Sequence, residues 1–375
     1  MAMARPSLLH HFKSLNKISF AQRRCLSIHE YQAQHLLAQY EVPVPRGSLA
    51  TTAAEAANLI DDFGGQGVIK SQILAGGRGK GSFGNGFKGG VRVVSSVDEG
   101  RKISAKMLGQ RLCTNQTPPE GLPVDKVYVV EQLSIGHEYY LAITTDRANA
   151  SPVLVMSQGG GTGIEELAAK DPGAVVKVPL KYTQGVTAEI ISLICERFAL
   201  QAERVELTAL LQRLFAFFKE RDATLVEINP LIRESKTGRF ICADSKVSID
   251  NAASKRQSEI FGLRDRSQEM PVELEAEKHG LVYIQLEGNI GCLVNGAGLA
   301  MATNDAVAHY GGRCANFLDG GGQATKETMV KAFELILSDK RVHTILVNIY
   351  GGKSGKWIDR LRDVLMLSFY RYHPL

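Results

Sequence analysis

The stretch KSQILAGGRGKGSFGNGFKGG, Lys70 to Gly90, restricts the fold of this chain more than any other segment. A short apolar run over Gly67 to Leu74 reads as a buried strand, and it opens into a loop with eight glycines and the cations Arg78, Lys80 and Lys88. Glycines let several backbone amides converge on one anion, and the cations neutralise the charge that phosphates carry. Lys70 lies inside an otherwise apolar strand, which points to the same chemistry. A flap over a nucleoside triphosphate is expected here, with Lys70 reaching up from the strand; a solvated glycine hairpin is the alternative. The loop is not a P-loop, because Gly81 follows Lys80 where Lys-Ser or Lys-Thr is required. The string Gly352-Lys353-Ser354 near the end of the sequence is not one either, since Val347 stands where that pattern needs glycine.

A second constellation lies in TLVEINPLI and RFICADSKV, two strands separated by RESKTG. Glu227 and Asn229 are two residues apart and share a strand face. A hairpin turning at Lys236-Thr237 sets Asn229 opposite Asp244 and Glu227 opposite Lys246. An amide oxygen beside a carboxylate is a hard-oxygen pair suited to Mg²⁺, which takes one or two protein oxygens and completes its shell with phosphates and water. An ion-paired surface hairpin is the alternative reading.

Around these motifs, helices are expected from Ser27, where Ser27 and Glu30 fit a capping box, and over Thr52–Phe63, Thr187–Phe198 and Glu203–Arg221. Strands are expected over Lys126–Leu133 and Tyr139–Asp146. Strands joined as hairpins make this first part α+β. The sequence turns charged and irregular between Asn251 and Lys278, and a domain boundary is placed at 265/266. Beyond it, apolar strands at GLVYIQL and NIGCLVN, a helix after Gly298, a strand near Arg313–Phe317, a helix over Lys326–Ser338 and the strand VHTILVNIY form a β-α-β-α-β series. That is the start of a doubly wound parallel domain. The loop Gly296-Ala297-Gly298 suits an anion at a helix N-terminus, with a tight strand-to-helix turn as the plainer alternative.

Composition narrows the function classes. The net charge of +5 is concentrated in the first residues and after Gly352, so nucleic-acid binding is not expected. No apolar run reaches the roughly 18 residues of a membrane span. The six cysteines and nine histidines show no metal-ligand spacing. Residues 1–26 are basic, rich in Leu, Phe and Ser, and free of acids, as in a mitochondrial transit peptide; a basic tail without an address is the alternative.

Taken together, HEYQAQHLL, AGGRGKG, VEINPL, GNIGCLVNGAGLAMAT, ANFLDGGG and VLVNIYGG resemble the β subunit of succinate–CoA ligase (succinyl-CoA synthetase) over Ile28 to Gly352. The resemblance implies an α/β chain in which an ATP-grasp domain (27–265) precedes an incomplete flavodoxin-like domain (266–352). It implies Mg²⁺, ATP or GTP, and a location in the mitochondrial matrix. It also implies an α subunit, as heterodimer or heterotetramer, which brings CoA and carries the histidine that is transiently phosphorylated. Succinate, CoA and nucleoside triphosphate would interconvert with succinyl-CoA, nucleoside diphosphate and phosphate. By motif, Lys70, Gly77, Arg78, Gly79, Glu131 and Glu138 match nucleotide contacts, and Asn229 and Asp244 match the magnesium ligands. Glu227 matches a carboxylate that steadies the phosphohistidine, and Asn295 and Gly352 match the succinate side.

The resemblance is expected to end at Gly352, leaving 353–375 as an atypical tail whose apolar helix-like pattern, from Trp357 to Phe369, would cover part of an incomplete sheet. Gln323 also departs from the pattern, at a position where the family carries glycine. A truncated nucleotide-binding remnant, or another ATP-grasp acid–thiol ligase using malate or citrate, are the competing readings.

Overall fold

The computed structural model describes residues 25–146, 148–161, 171–321 and 325–350. They fall into two compact units, one running to Gln268 and one from Glu269. The expectations for the leader, for Gln323, for Gly352 and for the tail after it lie outside the described residues.

The first unit opens with β1 (Cys25–Ser27) and α1 (Glu30–Gln39). Next come β2 (Gly47–Ala50), α2 (Ala53–Asp62), β3 (Gly67–Ser71), β4 (Ser82–Phe83), β5 (Val91–Val94) and α3 (Val97–Met107). Strands β6 (Gln110–Cys113), β7 (Leu122–Val124) and β8 (Val127–Val130) follow, then the long β9 (Ile135–Asp146), β10 (Ser151–Ser157) and β11 (Val175–Pro179). Helices α4 (Ala188–Phe198) and α5 (Arg204–Glu220) lead to β12 (Ala223–Glu234), β13 (Phe240–Cys242) and β14 (Ser245–Asp250).

One antiparallel sheet has the order β1-β14-β12-β9-β10-β11, with β13 also on β12. Its core forms because α5 carries Leu207, Leu210, Leu211, Leu214 and Phe217 at three- and four-residue spacing, all buried against Leu141, Ile143, Val226 and Ile228. A second sheet, β2-β8-β3-β5, is covered by α2 and α3, whose Ile60, Ile103 and Met107 share a core with Ile69 and Val129. Helix α2 starts where expected, with the Thr52 hydroxyl accepting from the Glu55 amide at 3.1 Å while Glu55 Oε2 accepts from the Thr52 amide at 3.3 Å.

The capping box expected at Ser27 and Glu30 does not form. Ser27 ends β1, paired with Ser248 across the sheet, and the helix begins at Glu30. The His29 amide donates instead to Gln32 Oε1 at 2.9 Å. Glu30 is drawn inward by two cations, and that interior pairing outcompetes the local cap.

The hairpin has the expected register. Glu227 pairs with Lys246, Ile228 with Ser245 and Leu231 with Cys242, and the turn carries Gly238 at φ 70°. The Asn229 amide donates to the Asp244 carbonyl at 3.3 Å, so these two residues lie opposite one another.

In the second unit, α6 (Pro271–Lys278) precedes β15 (Val282–Gln285), β16 (Ile290–Val294), α7 (Ala297–His309), β17 (Asn316–Asp319), α8 (Lys326–Ser338) and β18 (Thr344–Asn348). The order is β15-β17-β16-β18, and β16 runs parallel to both β17 and β18. The β-α-β-α-β series is present, but β15 joins antiparallel on β17. Its link to β16 crosses so close to Arg313 that a Cβ on Gly288 would lie 2.0 Å from the Arg313 carbonyl oxygen, which only glycine permits. The core of this unit is Tyr283, Leu293, Leu318, Met329, Phe333 and Ile336. An apolar groove of about 620 Å³ lies between α7 and β18, lined by Leu299, Ala306, Val307 and Leu346.

Candidate functional site

Lys70 sits on β3, buried at 6% exposure, because its ammonium reaches two acceptors: Glu30 Oε1 and the Ala243 carbonyl, both at 2.6 Å. The glycine loop then turns at Gly77, whose φ of 75° is the left-handed conformation glycine adopts without strain. A one-turn 3₁₀ segment, Arg78–Lys80, follows and is tied down where Gly81 and Gly90 donate their amides to the Arg78 carbonyl at 3.1 and 2.8 Å. This aims the Arg78 side chain inward, while Lys80 and Lys88 stay exposed.

Arg78 is shared. Its Nη1 donates to Glu30 Oε2 at 2.8 Å and to the Ser71 carbonyl at 3.0 Å; its Nη2 donates to Asp244 Oδ1 and Oδ2 at 3.0 and 2.8 Å. Glu30 and Arg78 are thus the inner pair of a four-charge chain, Lys70–Glu30–Arg78–Asp244, assembled from α1, β3, the glycine loop and the β13–β14 connection. Burial alone would raise its pKa, but Lys70 and Arg78 outweigh that and hold it at about 2. The guanidinium is correspondingly held above its ordinary range: burial works against the charge, and Asp244 and Glu30 overcome it.

Glu30 was missed as a site residue in the sequence, where it reads as a helix cap. An acid in the first turn preceding an apolar stripe gives no sign that its partners lie 40 and 48 residues away.

Asn229, on β12, and Asp244, in the β13–β14 connection, are brought opposite one another. Asn229 Oδ1 accepts from the Gly161 amide at 2.6 Å, and the Asp244 carboxylate is held by Arg78. The Gly161 contact, also unforeseen, depends on the tract before it: Gly160 donates to the Glu138 carbonyl at 3.3 Å, and a Cβ there would meet the Tyr139 carbonyl oxygen at 2.8 Å. Glu138 and Asn229 are thereby linked through one glycine segment. Glu227 is half-buried on β12, opposite the exposed Lys246.

The oxygens present fit Mg²⁺ delivered with a nucleotide. Asn229 and Asp244 offer an amide and a carboxylate, the Asp244 side chain keeps 32% exposure, and among the described residues no cluster of three or more acid, histidine or cysteine ligands forms a self-sufficient cage.

Glu131 lies apart from this cluster, just past β8, with its carboxylate held by the Arg46 amide at 2.9 Å and by Arg46 Nε and Nη2 at 2.8 Å. Gly79 has open space where a side chain would be. Asn295, in the second unit, pins the chain after β18: its Nδ2 donates to the Tyr350 carbonyl and its Oδ1 accepts from the Tyr350 amide, both at 2.8 Å. The Gly296 amide, expected to face an anion, donates to Asp319 Oδ1 at 2.6 Å.

An ATP-grasp domain model matches residues 27–233 and a CoA-ligase model matches 293–361, so the family pattern continues past Gly352, where the resemblance was expected to stop. The chain is 46% identical over 335 residues to the mitochondrial succinate–CoA ligase [ADP-forming] subunit beta of Arabidopsis thaliana, covering 88% of this chain and 79% of that one. It is 46% identical over 340 residues to the corresponding mitochondrial subunit of Neurospora crassa, covering 90% and 76%. It is also 46% identical over 334 residues to the same subunit of the bacterium Nitratiruptor, covering 87% and 82%. Among solved structures, ATP citrate lyase of Methanosaeta concilii superposes with a TM-score of 0.62 at 17% identity, over 92% of this chain and 86% of that one, a likeness of fold. The chain belongs to the succinate–CoA ligase β-subunit family.

Proposed function

We propose that this chain is the nucleotide-binding β subunit of an ADP-forming succinate–CoA ligase, working in the mitochondrial matrix with an α subunit that brings CoA and the histidine. The reaction would be succinyl-CoA + ADP + phosphate = succinate + CoA + ATP, run in either direction. The observation that carries the reading is the 2.8 Å contact between Arg78, the loop cation expected on phosphate, and Asp244, the carboxylate expected on the metal. A cation expected on phosphate beside a carboxylate expected on the metal supports a site for phosphoryl transfer, in which phosphate and metal must adjoin.

In this reading the amides of Gly77 to Gly79 and the cations Lys70 and Arg78 bind the nucleotide phosphates, with exposed Lys80 and Lys88 adding a positive approach. Glu131 and Glu138 hold the remainder of the nucleotide. Asn229 and Asp244 would hold Mg²⁺, which when bound offsets charge on the transferring phosphoryl group. Glu227, on the same strand as Asn229, would steady the phosphohistidine when it visits the nucleotide site. Asn295 and Gly352 serve the succinate side.

Calorimetric titration of the assembled complex with ADP and GDP tests this. ADP should bind, with affinity falling at least about tenfold when Mg²⁺ is chelated. Absence of nucleotide binding would rule the reading out.

A further inference from the structure

Both cations of the buried cluster meet on Glu30, a residue to which the family resemblance gives no role. Its two oxygens serve different cations, Oε1 taking Lys70 at 2.6 Å and Oε2 taking Arg78 at 2.8 Å. Its side chain is only 2% exposed, and an ionised carboxylate persists there because two cations face it. Both cations are the ones expected on nucleotide phosphate, and one of them also closes on the expected metal ligand.

We propose that Glu30 is a positioning residue of the nucleotide site, holding Lys70 and Arg78 for the phosphates and retaining Arg78 when it leaves Asp244. This rests on the function proposed above. The guanidinium has two edges with separate tasks. Nη1 is anchored on Glu30 and the Ser71 carbonyl, and Nη2 on both oxygens of Asp244. A metal-bearing nucleotide needs those Asp244 oxygens, so the Nη2 edge must turn from Asp244 to phosphate. With Nη1 held by Glu30, the planar fork exchanges one partner without leaving a buried cation unpaired at any point. Without Glu30, Asp244 is the one carboxylate left to Arg78 among its contacts in the described residues, and the arginine competes with the metal for it. Lys70 would then keep the Ala243 carbonyl and lose its counter-charge.

The experiment uses the complex with the α subunit, comparing wild type, Glu30→Gln and Glu30→Asp by titration with ADP, with and without Mg²⁺, and by steady-state kinetics. Glu30→Gln is expected to weaken Mg²⁺-dependent ADP binding by about tenfold or more, with KM for ADP rising further than kcat falls. It should also shrink the affinity gain that Mg²⁺ confers. Glu30→Asp keeps the charge but is one methylene too short to span both cations, and should fall between. A residue needed only for folding would lower Tm and leave the affinity of the folded complex unchanged. An ADP Kd within twofold of wild type in Glu30→Gln therefore overturns the proposal; if that variant does not assemble, the same criterion applied to Glu30→Asp decides. If the wild-type complex binds no ADP, the proposed function itself fails and this inference falls with it.

Discussion

Glu30 ties stability to pH through its two cations. Its pKa in the folded chain is about 2 against an ordinary value of 4.5, so the folded state favours the charged form. Its stabilising contribution is present in full above about pH 4.5 and is lost as pH falls toward about 2. Urea midpoints of wild type and Glu30→Gln, measured at descending pH, should differ most above that window and converge through it; a constant difference would show that the carboxylate charge is not what stabilises. Gly77 supports the loop differently. An added Cβ would sit 2.7 Å from Asn115 Oδ1 in a left-handed backbone, so Gly77→Ala should cost about 1 kcal/mol or more in denaturant titration and weaken ADP binding. Lys70 and Arg78 stood out in the sequence as a cation in an apolar strand and a cation in a glycine tract, and the juxtaposition of Asn229 and Asp244 followed from the hairpin register. Glu30 did not stand out, because what defines it is a long-range pairing, while its neighbours in sequence suggest only a helix start.

At the scale of elements, local signals that agree with the tertiary environment were readable. Helix α2 lies where it was expected, capped by Thr52 and Glu55, and Thr52→Ala should cost about 1 kcal/mol, checked by chemical denaturation. The β12–β13–β14 register followed from alternation and a turn centred on Lys236-Thr237, since a one-residue slip would expose the buried Ile228 and Leu231. Elements with few apolar residues escaped: helix α3 buries only Gly100, Ile103, Ser104 and Met107, two of them not apolar side chains, and the short strands β4 to β7 are too brief to show alternation. The strand β15 was expected, and only its antiparallel pairing escaped, for another reason. An apolar strand of four residues carries no record of its partner, and β15 pairs with β17, reached only after β16 and a helix.

For the molecule as a whole, each unit depends on its own core. In the first, Phe217 is fully buried beneath the large sheet, and Phe217→Ala should cost about 3–5 kcal/mol, seen as a lowered denaturation midpoint that nucleotide only partly restores. The larger expectation concerns catalysis with a partner. Purified together with its α subunit, this chain should form ATP from ADP and phosphate only when succinyl-CoA is supplied, releasing CoA and succinate in equal amounts. The chain alone should form none, and Asp244→Asn in the complex should reduce the rate by about tenfold or more. ATP formation that does not depend on succinyl-CoA, or a well-assembled complex that forms none, would contradict the assignment.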